Sequence, residues 1–470
     1  MSPPRFTPLI SWLLLAQLVL AGCVTAPHAK DVPSDPLRAF AAFLDATHPA
    51  LHRFVGASEL EARVDLEVKN LGGDDDPLAL ARAASRVAAA VGDAHLAVGL
   101  PPEVAEGSLV PFLLKRAGEH VFLDASEPML PRGTEVLQVE GRPVGALFEA
   151  MAAMACVDGD RPEVRAAEVE HRFAFLALLE LGAHEHYTLV VREPGGDPRT
   201  IQLEATDRAG VGRLSAQRYS AAVWGSPLPQ GEPPWPTLTR ISPTTQLLRL
   251  ASFGYEDDAP YEERVEALFA TLAPHERLVV DLRGNEGGNR LLGVTVLRRL
   301  LARPFAQWAS VSTRVRAIPP GFEDLIEFPI VPEASLTGFP GKKAEGRWLV
   351  EGDPLAERMV PAAQYHPGEV VLFVDAATNS ASIEFIAALL AHRDGVQVIG
   401  TQTQGACDRH NGQLPVVFQS QSLMVLVSLF DIELVPIPGC RPGHGVMPDV
   451  EVVYSETDFL GSRDPYLDAL

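Results

Sequence analysis

The chain contains little cysteine and has no long run of basic residues. Of its 470 residues only four are cysteine, and the formal net charge is −22. An acidic chain without clustered lysine or arginine lacks the positive surface that attracts nucleic acid or anionic lipid. We therefore expect no nucleic acid among its partners. Apolar residues make up 47% of the chain, which is enough for a large core and two or three domains.

Long apolar runs are also missing from the sequence beyond its first residues. The run Leu9–Ala21 follows the single charged residue Arg5 and is too short for a comfortable membrane span. This pattern predicts a secretory signal over residues 1–22. The segment Leu20 to Cys23 resembles a bacterial lipobox, in which Cys23 becomes the lipidated first residue of the mature chain. An ordinary signal peptide with an incidental cysteine is the alternative.

The lipobox resemblance implies a protein anchored by lipid to a membrane of the cell envelope. A cleaved chain that carries lipid is attached to the membrane without crossing it. The protein would face the periplasm or the outside. Val24, in place of Asp after the lipidated cysteine, favours the outer membrane by analogy with known sorting.

Three cysteines remain after the lipobox, namely Cys156, Cys407 and Cys440. An exported protein meets an oxidising compartment, which favours one disulfide. Cys407 and Cys440 share a domain and are the natural pair, which leaves Cys156 free. The spacings Cys407–His410 and Cys440–His444 also allow a zinc-type ligand set. The disulfide is the favoured use of these cysteines, and we predict neither a metal nor a cofactor.

Composition and periodicity divide the chain into consecutive segments. Helical spacing and an Asp76–Pro77 start signal predict helices in the first block, and strand-like runs follow in the second. From Gln246 strands and helices alternate, which predicts a parallel or mixed sheet covered by helices. The predicted segments are a signal (1–22), a linker (23–36), an N-terminal helical domain (37–105), a β-rich domain (106–207), a linker (208–244) and a C-terminal α/β domain (245–470).

One element of the β-rich block is specific enough to compare with a known module. The segment from Leu130 to Pro143 resembles the strand-and-turn element of PDZ domains, so 106–207 is predicted to be PDZ-like. Any small β-rich domain with a glycine turn is an equal alternative. A PDZ-like domain would recognise a peptide C-terminus by strand addition.

The residues that could take part in a reaction lie at the ends of two predicted strands. The run Val279–Gly288 leaves a buried strand through a glycine-rich turn, whose backbone N–H groups can hold an oxyanion. No Lys-Ser/Thr follows the glycines, so a phosphate loop is not expected. In Val370–Phe385 a second strand meets a helix N-terminus at Ser380, where the helix dipole would stabilise an alkoxide. The simpler alternative is that Ser380 only caps the helix, with Glu384 near a capping-box position.

The order and spacing of four motifs resemble the tail-specific (C-terminal processing) and tricorn-core serine peptidases. These motifs are Asp-Leu-Arg-Gly-Asn-x-Gly-Gly from Asp281, Thr-x-Ser-Ala-x-x-Glu-Phe from Thr378, the Ile399–Gly405 segment, and Gly-Val-x-Pro-Asp from Gly445. The resemblance implies an α/β core of the crotonase and Clp-protease type with stacked ββα units over 245–470. It also implies a serine-type peptidase acting on a peptide or protein substrate.

The same resemblance assigns roles to individual residues. Ser380 would be the nucleophile, and a serine hydroxyl needs a nearby base to attack an amide. One branch of the family uses a lysine, but Ala406 occupies that position here. The tricorn-like branch uses a histidine that Asp93–Ala94–His95 matches, so His95 is the predicted general base. The N–H groups of Gly287 or Gly288 and of Ala381 would form the oxyanion hole.

Several departures from the family pattern leave alternatives open. Ile383 stands where many relatives have glutamate, and aligning on Glu384 instead would place Ala381 at the nucleophile and predict an inactive protein. Ser382 is a second candidate nucleophile. Pro442 replaces a glutamate of relatives, so no residue orienting His95 is named. The competing hypothesis is a catalytically inactive lipoprotein that binds peptides or a protein partner.

Overall fold

The computed structural model describes residues 32–74, 76–100, 107–218, 220, 235–255, 258–329 and 333–470. Thirteen helices lie in these ranges, besides one short 3-10 turn. They are α1 (Pro36–Thr47), α2 (Ala57–Leu71), α3 (Pro77–Val91), α4 (Val144–Ala152), α5 (Pro162–His171), α6 (Phe173–Leu181), α7 (Arg208–Ala216), α8 (Asp258–Phe269), α9 (Arg290–Leu300), α10 (Ala334–Gly338), α11 (Ala381–His392), α12 (Glu456–Gly461) and α13 (Pro465–Asp468).

The strands of the same ranges form three sheets. They are β1 (Ala97–Gly99), β2 (Phe112–Ala117), β3 (His120–Ser126), β4 (Glu135–Val139), β5 (Arg142–Pro143), β6 (His186–Arg192), β7 (Arg199–Glu204), β8 (Thr237–Ser242), β9 (Thr245–Arg249), β10 (Arg277–Asp281), β11 (Trp308–Thr313), β12 (Ile326–Glu327), β13 (Gly341–Ala344), β14 (Arg347–Val350), β15 (Val370–Val374), β16 (Gln397–Gly400), β17 (Arg409–Ser420), β18 (Leu423–Leu434) and β19 (Val450–Glu451). Strands and helices alternate from β9 to β11, as predicted, whereas β13–β15 and β16–β19 follow one another without a helix between them.

The first sheet has the order β19-β16-β15-β10-β9-β8, and all of its pairs are parallel except β8–β9. Every residue of β15 is buried, as its unbroken apolar sequence requires. Asp281 at the end of β10 pairs with Phe373 near the end of β15. Because the strands are parallel, the glycine-rich turn and the Ser380 segment leave the sheet at the same edge. The predicted mixed α/β architecture is confirmed.

The second sheet is antiparallel and has the order β12-β17-β18-β11-β14-β13. The short strand β1 adds to β18, with Ala97 opposite Leu426. Helix α3 ends just before β1, where Gly92 adopts a left-handed conformation with φ 72°. Its start also follows the sequence signals, because the Asp76 carboxylate accepts from the Ala79 N–H at 2.9 Å and Pro77 is the first helical residue. Together β1 and α3 fix the position of the Asp93–His95 segment.

The third sheet, of order β2-β3-β4-β6-β7 with β5 on β4, is antiparallel. It has its own hydrophobic core, in which Phe112, Phe173 and Tyr187 are fully buried. The strand-like runs predicted for this block are present as β3, β4 and β6. A PDZ-like identity for this sheet stays a prediction.

Two structural features lie at the predicted boundaries, which stay predictions. Helices α1 to α3 share a hydrophobic core with the C-terminal half, where Phe40 and Phe43 pack on Phe418 of β17. An amphipathic helix that cannot bury its apolar face alone must share a neighbour's core. The linker predicted over 208–244 contains α7 and β8, and β8 pairs with β9 as an edge strand. The proline-rich composition of 208–244 therefore hid two regular elements.

The predicted signal, the lipidation residue Cys23 and most of the 23–36 linker lie outside the described residues. Within the described part of the chain, none of the helices is both long and apolar enough to cross a membrane.

Candidate active site

Ser380 immediately precedes helix α11 in a strained backbone conformation, with φ 53° and ψ −124°. A positive φ is costly for a residue with a Cβ and is typically kept where function needs it. The Ser380 side chain makes no capping hydrogen bond to α11. Capping of α11 therefore does not explain why a serine occupies this strained position. Ala381 is the first residue of the helix and has no exposed surface.

The glycine-rich turn lies directly against Ser380. A Cβ added to Gly287, whose φ is 98°, would lie 2.7 Å from Ser380 Cβ and 2.8 Å from the Ala381 nitrogen. The Gly287 N–H donates to Asn285 Oδ1 at 2.9 Å. Among the described residues, the N–H groups of Gly288 and Ala381 have no hydrogen-bond partner. These two N–H groups are therefore the better oxyanion donors of the predicted set.

Hydrogen bonds hold the turn and the serine segment to one another. The Asp375 carboxylate accepts from the Gly284 N–H at 3.0 Å and from the Thr378 hydroxyl at 3.0 Å. The Asn379 N–H donates to the Asn285 carbonyl at 3.1 Å. Such bonds between fixed groups keep the donors in place, as transition-state stabilisation requires. Sequence reasoning did not single out Asp375, although its position directly after β15 was a usable signal.

Two further residues of the α11 start are structural. The Ser382 side chain has no exposed surface, which argues against its role as a second nucleophile. Glu384 is fully buried, with Arg290 Nε at 3.1 Å and His410 Nε2 at 3.2 Å. Burial raises the pKa of Glu384, but Arg290 and His410 outweigh it and hold that pKa at about 2. Glu384 is therefore an ionised anchor of the helix rather than a capping-box residue.

His95 is buried, with 6% of its surface exposed, and follows helix α3 as predicted. Its ring stacks on His410 at a centroid distance of 5.0 Å, and His410 contacts Glu384 of α11. Neither ring nitrogen of His95 has a hydrogen-bond partner among the described residues. A hydrogen bond between Ser380 and His95 is thus not formed here, although such bonds are often long in the resting state.

Asp93 is the carboxylate closest to His95 along the chain. Asp93 Oδ1 lies 3.7 Å from His95 Nδ1, and Asp93 Oδ2 lies 2.9 Å from His48 Nε2. Asn411 donates to the same Asp93 oxygen at 2.8 Å. Burial disfavours the charged carboxylate, but the His48 and His95 rings outweigh burial and keep the pKa of Asp93 well below its usual value. Asp93 is therefore ionised and can orient His95.

Asp158, from the segment before α5, connects the histidine and serine segments. Its Oδ1 accepts from the Ala94 N–H at 3.0 Å, and its Oδ2 accepts from the Ala406 N–H at 2.9 Å. The Thr403–Ala406 loop lies in turn against the serine segment, because the Gln404 N–H donates to the Thr378 carbonyl at 3.1 Å. Sequence reasoning missed Asp158, because it lies in the β-rich block, far along the chain from the His95 and Ser380 segments.

Two other pairs stabilise the surroundings of the site. Cys407 and Cys440 form a disulfide, with an S–S distance of 2.01 Å, so these sulfurs are not zinc ligands. Cys156 is a free cysteine, and burial raises the pKa of its thiol to about 12. Glu286 of the glycine-rich turn pairs with His171 at the end of α5.

The C-terminal half of the chain is similar to a known peptidase family. Residues 245–452 match the profile described as peptidase family S41. The family resemblance inferred from the motifs is confirmed over these residues, and the match supports a hydrolase of the peptidase class. No curated protein sequence matches the chain.

Solved structures extend the likeness beyond the S41 region. Mature CPAF is similar with a TM-score of 0.60 and 15% identity, over 92% of this chain and 94% of that chain. Mature CPAF complexed with lactacystin is similar with a TM-score of 0.60 and 13% identity, over 92% of this chain and 95% of that chain. The photosystem II D1 C-terminal processing protease has a TM-score of 0.36 and 15% identity, over 88% of this chain and 92% of that chain. At these identities the CPAF likeness establishes a shared fold, which includes the N-terminal helices and the β2–β7 sheet.

Proposed function

We propose that this S41 protein is a serine-type peptidase in which Ser380 is the nucleophile and His95 the general base. The observation that carries the proposal is the Ser380 backbone. It is strained at a helix N-terminus, its side chain does not cap that helix, and it lies against a glycine turn with N–H groups to offer. This combination matches the requirements of acyl transfer.

The proposed reaction uses each group in turn. Ser380 Oγ attacks the carbonyl carbon of the substrate, and its proton moves to His95 Nε2, because Nδ1 faces Asp93. The N–H groups of Ala381 and Gly288 donate to the oxyanion. His95 then gives the proton to the leaving amine, and the acyl group stays on Ser380. Water attacks this acyl-enzyme with His95 again as the base, and His95 returns the proton to Ser380 as the acid product leaves. Before the first step, His95 and Ser380 have to approach each other to hydrogen-bond distance.

Covalent labelling tests the nucleophile. A fluorophosphonate probe should label the wild-type chain and fail to label Ser380→Ala, while Ser382→Ala should keep its labelling as the matched control. His95→Ala should label far more slowly, since the hydroxyl then lacks its base. Equal labelling of Ser380→Ala and wild type, or no labelling of a folded wild-type chain, would overturn the assignment.

One observation favours a second candidate, an inactive protein that binds peptides. The His95 ring nitrogens lack a hydrogen-bond partner among the described residues, and the lysine and glutamate of relatives are absent. The inactive protein should bind an unstructured peptide in a fluorescence anisotropy titration without cleaving it. Mass spectrometry of a mixed peptide pool after incubation separates the two candidates, because only the peptidase creates new peptide ends.

We also propose that the protein acts at the cell envelope, anchored through lipid on Cys23. The support is the sequence alone, namely the lipobox resemblance after a short apolar run. Mass spectrometry of the N-terminal peptide from a bacterial membrane fraction should show diacylglycerol on Cys23. An unmodified Cys23 in that peptide would contradict the anchor.

A further inference from the structure

We propose that Asp93, His95 and Asp158 form a binding site for a divalent transition metal ion of the zinc type. The three side chains offer one imidazole nitrogen and two carboxylate oxygens, a donor set that suits zinc. Their ligand atoms all lie within 4.8 Å of one another. An ion about 2.0–2.2 Å from each atom holds its ligands at most about 4.4 Å apart, so the side chains have to close by a few tenths of an ångström or more to bind it.

The unpartnered ring of His95 is the observation that points to a ligand. Both ring nitrogens are buried and lack a hydrogen-bond partner among the described residues. Buried polar atoms of this kind are uncommon and require an explanation. A neutral imidazole has one free lone pair, which a metal ion can satisfy.

The two carboxylates are held in place by groups outside the proposed site. His48 and Asn411 both hydrogen-bond to Asp93 Oδ2, at 2.9 and 2.8 Å. Backbone N–H groups hold both oxygens of Asp158. Outer hydrogen bonds that fix ligands in this way raise metal affinity, because less ordering is needed on binding.

The charge balance of the cluster also favours a cation. Arg161 is the buried cation next to Asp158, but its guanidinium donates to the backbone carbonyls of Asp158, Thr403 and Gln404 rather than to a carboxylate. Neither Asp93 nor Asp158 has an ion pair with lysine or arginine among the described residues. Two buried carboxylates therefore lie close together, a placement that a divalent ion would offset.

The consequence for catalysis follows from the proposed role of His95, on which this part of the inference rests. A metal ion and the Ser380 proton need the same histidine. Bound metal would therefore stop peptide hydrolysis reversibly, and removing the metal would restore it. The site would then switch the peptidase off in a zinc-rich compartment.

Zinc binding can be measured without reference to activity. The full chain, freed of metal with a chelator, is titrated with Zn²⁺ in competition with a chromophoric chelator. We expect one tight ion per chain, and at least a tenfold weaker affinity in His95→Gln and in Asp158→Asn. His52→Ala, which removes an exposed histidine outside the cluster, should leave the affinity unchanged.

The outcomes separate this inference from the proposed function. Zinc that binds His95 in a chain without peptidase activity supports the site and removes only the inhibitory role. Absence of tight binding in the wild type overturns the proposal, and so does equal binding by His95→Gln and wild type when circular dichroism shows both folded. An active peptidase that Zn²⁺ does not inhibit overturns the inhibitory site.

Discussion

At the scale of single residues, backbone conformation explains the site better than side-chain identity does. Ser380 and Gly287 both have positive φ, and each leaves room for the other. A glycine adopts such a conformation at no steric cost, while a serine does so only if the surrounding structure enforces it. The glycine-rich motif is thus needed for the approach of Ser380 as much as for its N–H groups.

Replacing Gly287 by alanine should therefore inactivate the protein. The added Cβ would lie within 3.0 Å of Ser380, Ala381 and Asn379, and its φ of 98° would be strained. We expect a loss of roughly 10²-fold or more in peptide hydrolysis, comparable to removing an oxyanion donor. Steady-state kinetics measure the loss. Gly145→Ala, on helix α4 with open space around it, is the matched control and should stay fully active.

At the scale of elements, helix α5 of the middle region reaches the glycine-rich turn through the His171–Glu286 pair. Burial raises the pKa of Glu286, but His171 and Arg172 outweigh it and hold that pKa at about 2. Burial lowers the pKa of His171, but Glu286 and Glu168 outweigh it and raise that pKa above 6.5. The pair therefore links the oxyanion turn to a helix outside the S41 region.

This pair predicts a pH window for stability. The depressed pKa of Glu286 stabilises the fold above its ordinary value of 4.5, and this contribution is lost as pH falls toward 2. The raised pKa of His171 stabilises it below 6.5, and this contribution is lost as pH rises through the raised pKa. Between pH 4.5 and 6.5, His171→Gln should cost about 1 kcal/mol in urea unfolding. If His171→Gln lowered the free energy of unfolding equally at pH 5 and pH 9, the ion pair would not be the cause of the loss.

At the scale of the whole molecule, the N-terminal helices share the hydrophobic core of the C-terminal half. Phe43 of α1 packs on Phe418 of β17 and on Phe322, and all three rings are buried. His95, the proposed base, directly follows the same helical block. The S41 match begins only at residue 245, yet the site is incomplete without residues far before it.

Truncating Phe43 to alanine should destabilise the C-terminal half as well as α1. Loss of a buried phenylalanine typically costs about 3–5 kcal/mol. Hydrogen exchange should then show faster exchange in β17 and β18, since they share the core with α1. Leu66→Ala, at an exposed position of α2, should leave exchange in those strands unchanged. If only α1 exchanged faster in Phe43→Ala, the helices would be an independent unit after all.

The sequence by itself determined the local elements, and it supplied Ser380 and His95 as the proposed nucleophile and base. The Asp76–Pro77 start of α3, the buried strand β15 and the start of α11 follow from capping and periodicity, which act over a few residues. Only the tertiary structure decided that α1 to α3 share the catalytic core, that Asp158 joins the His95 and Ser380 segments, and that Glu384 pairs with Arg290. These contacts join residues distant along the chain, and their energy comes from burial and charge pairing that a local pattern does not encode.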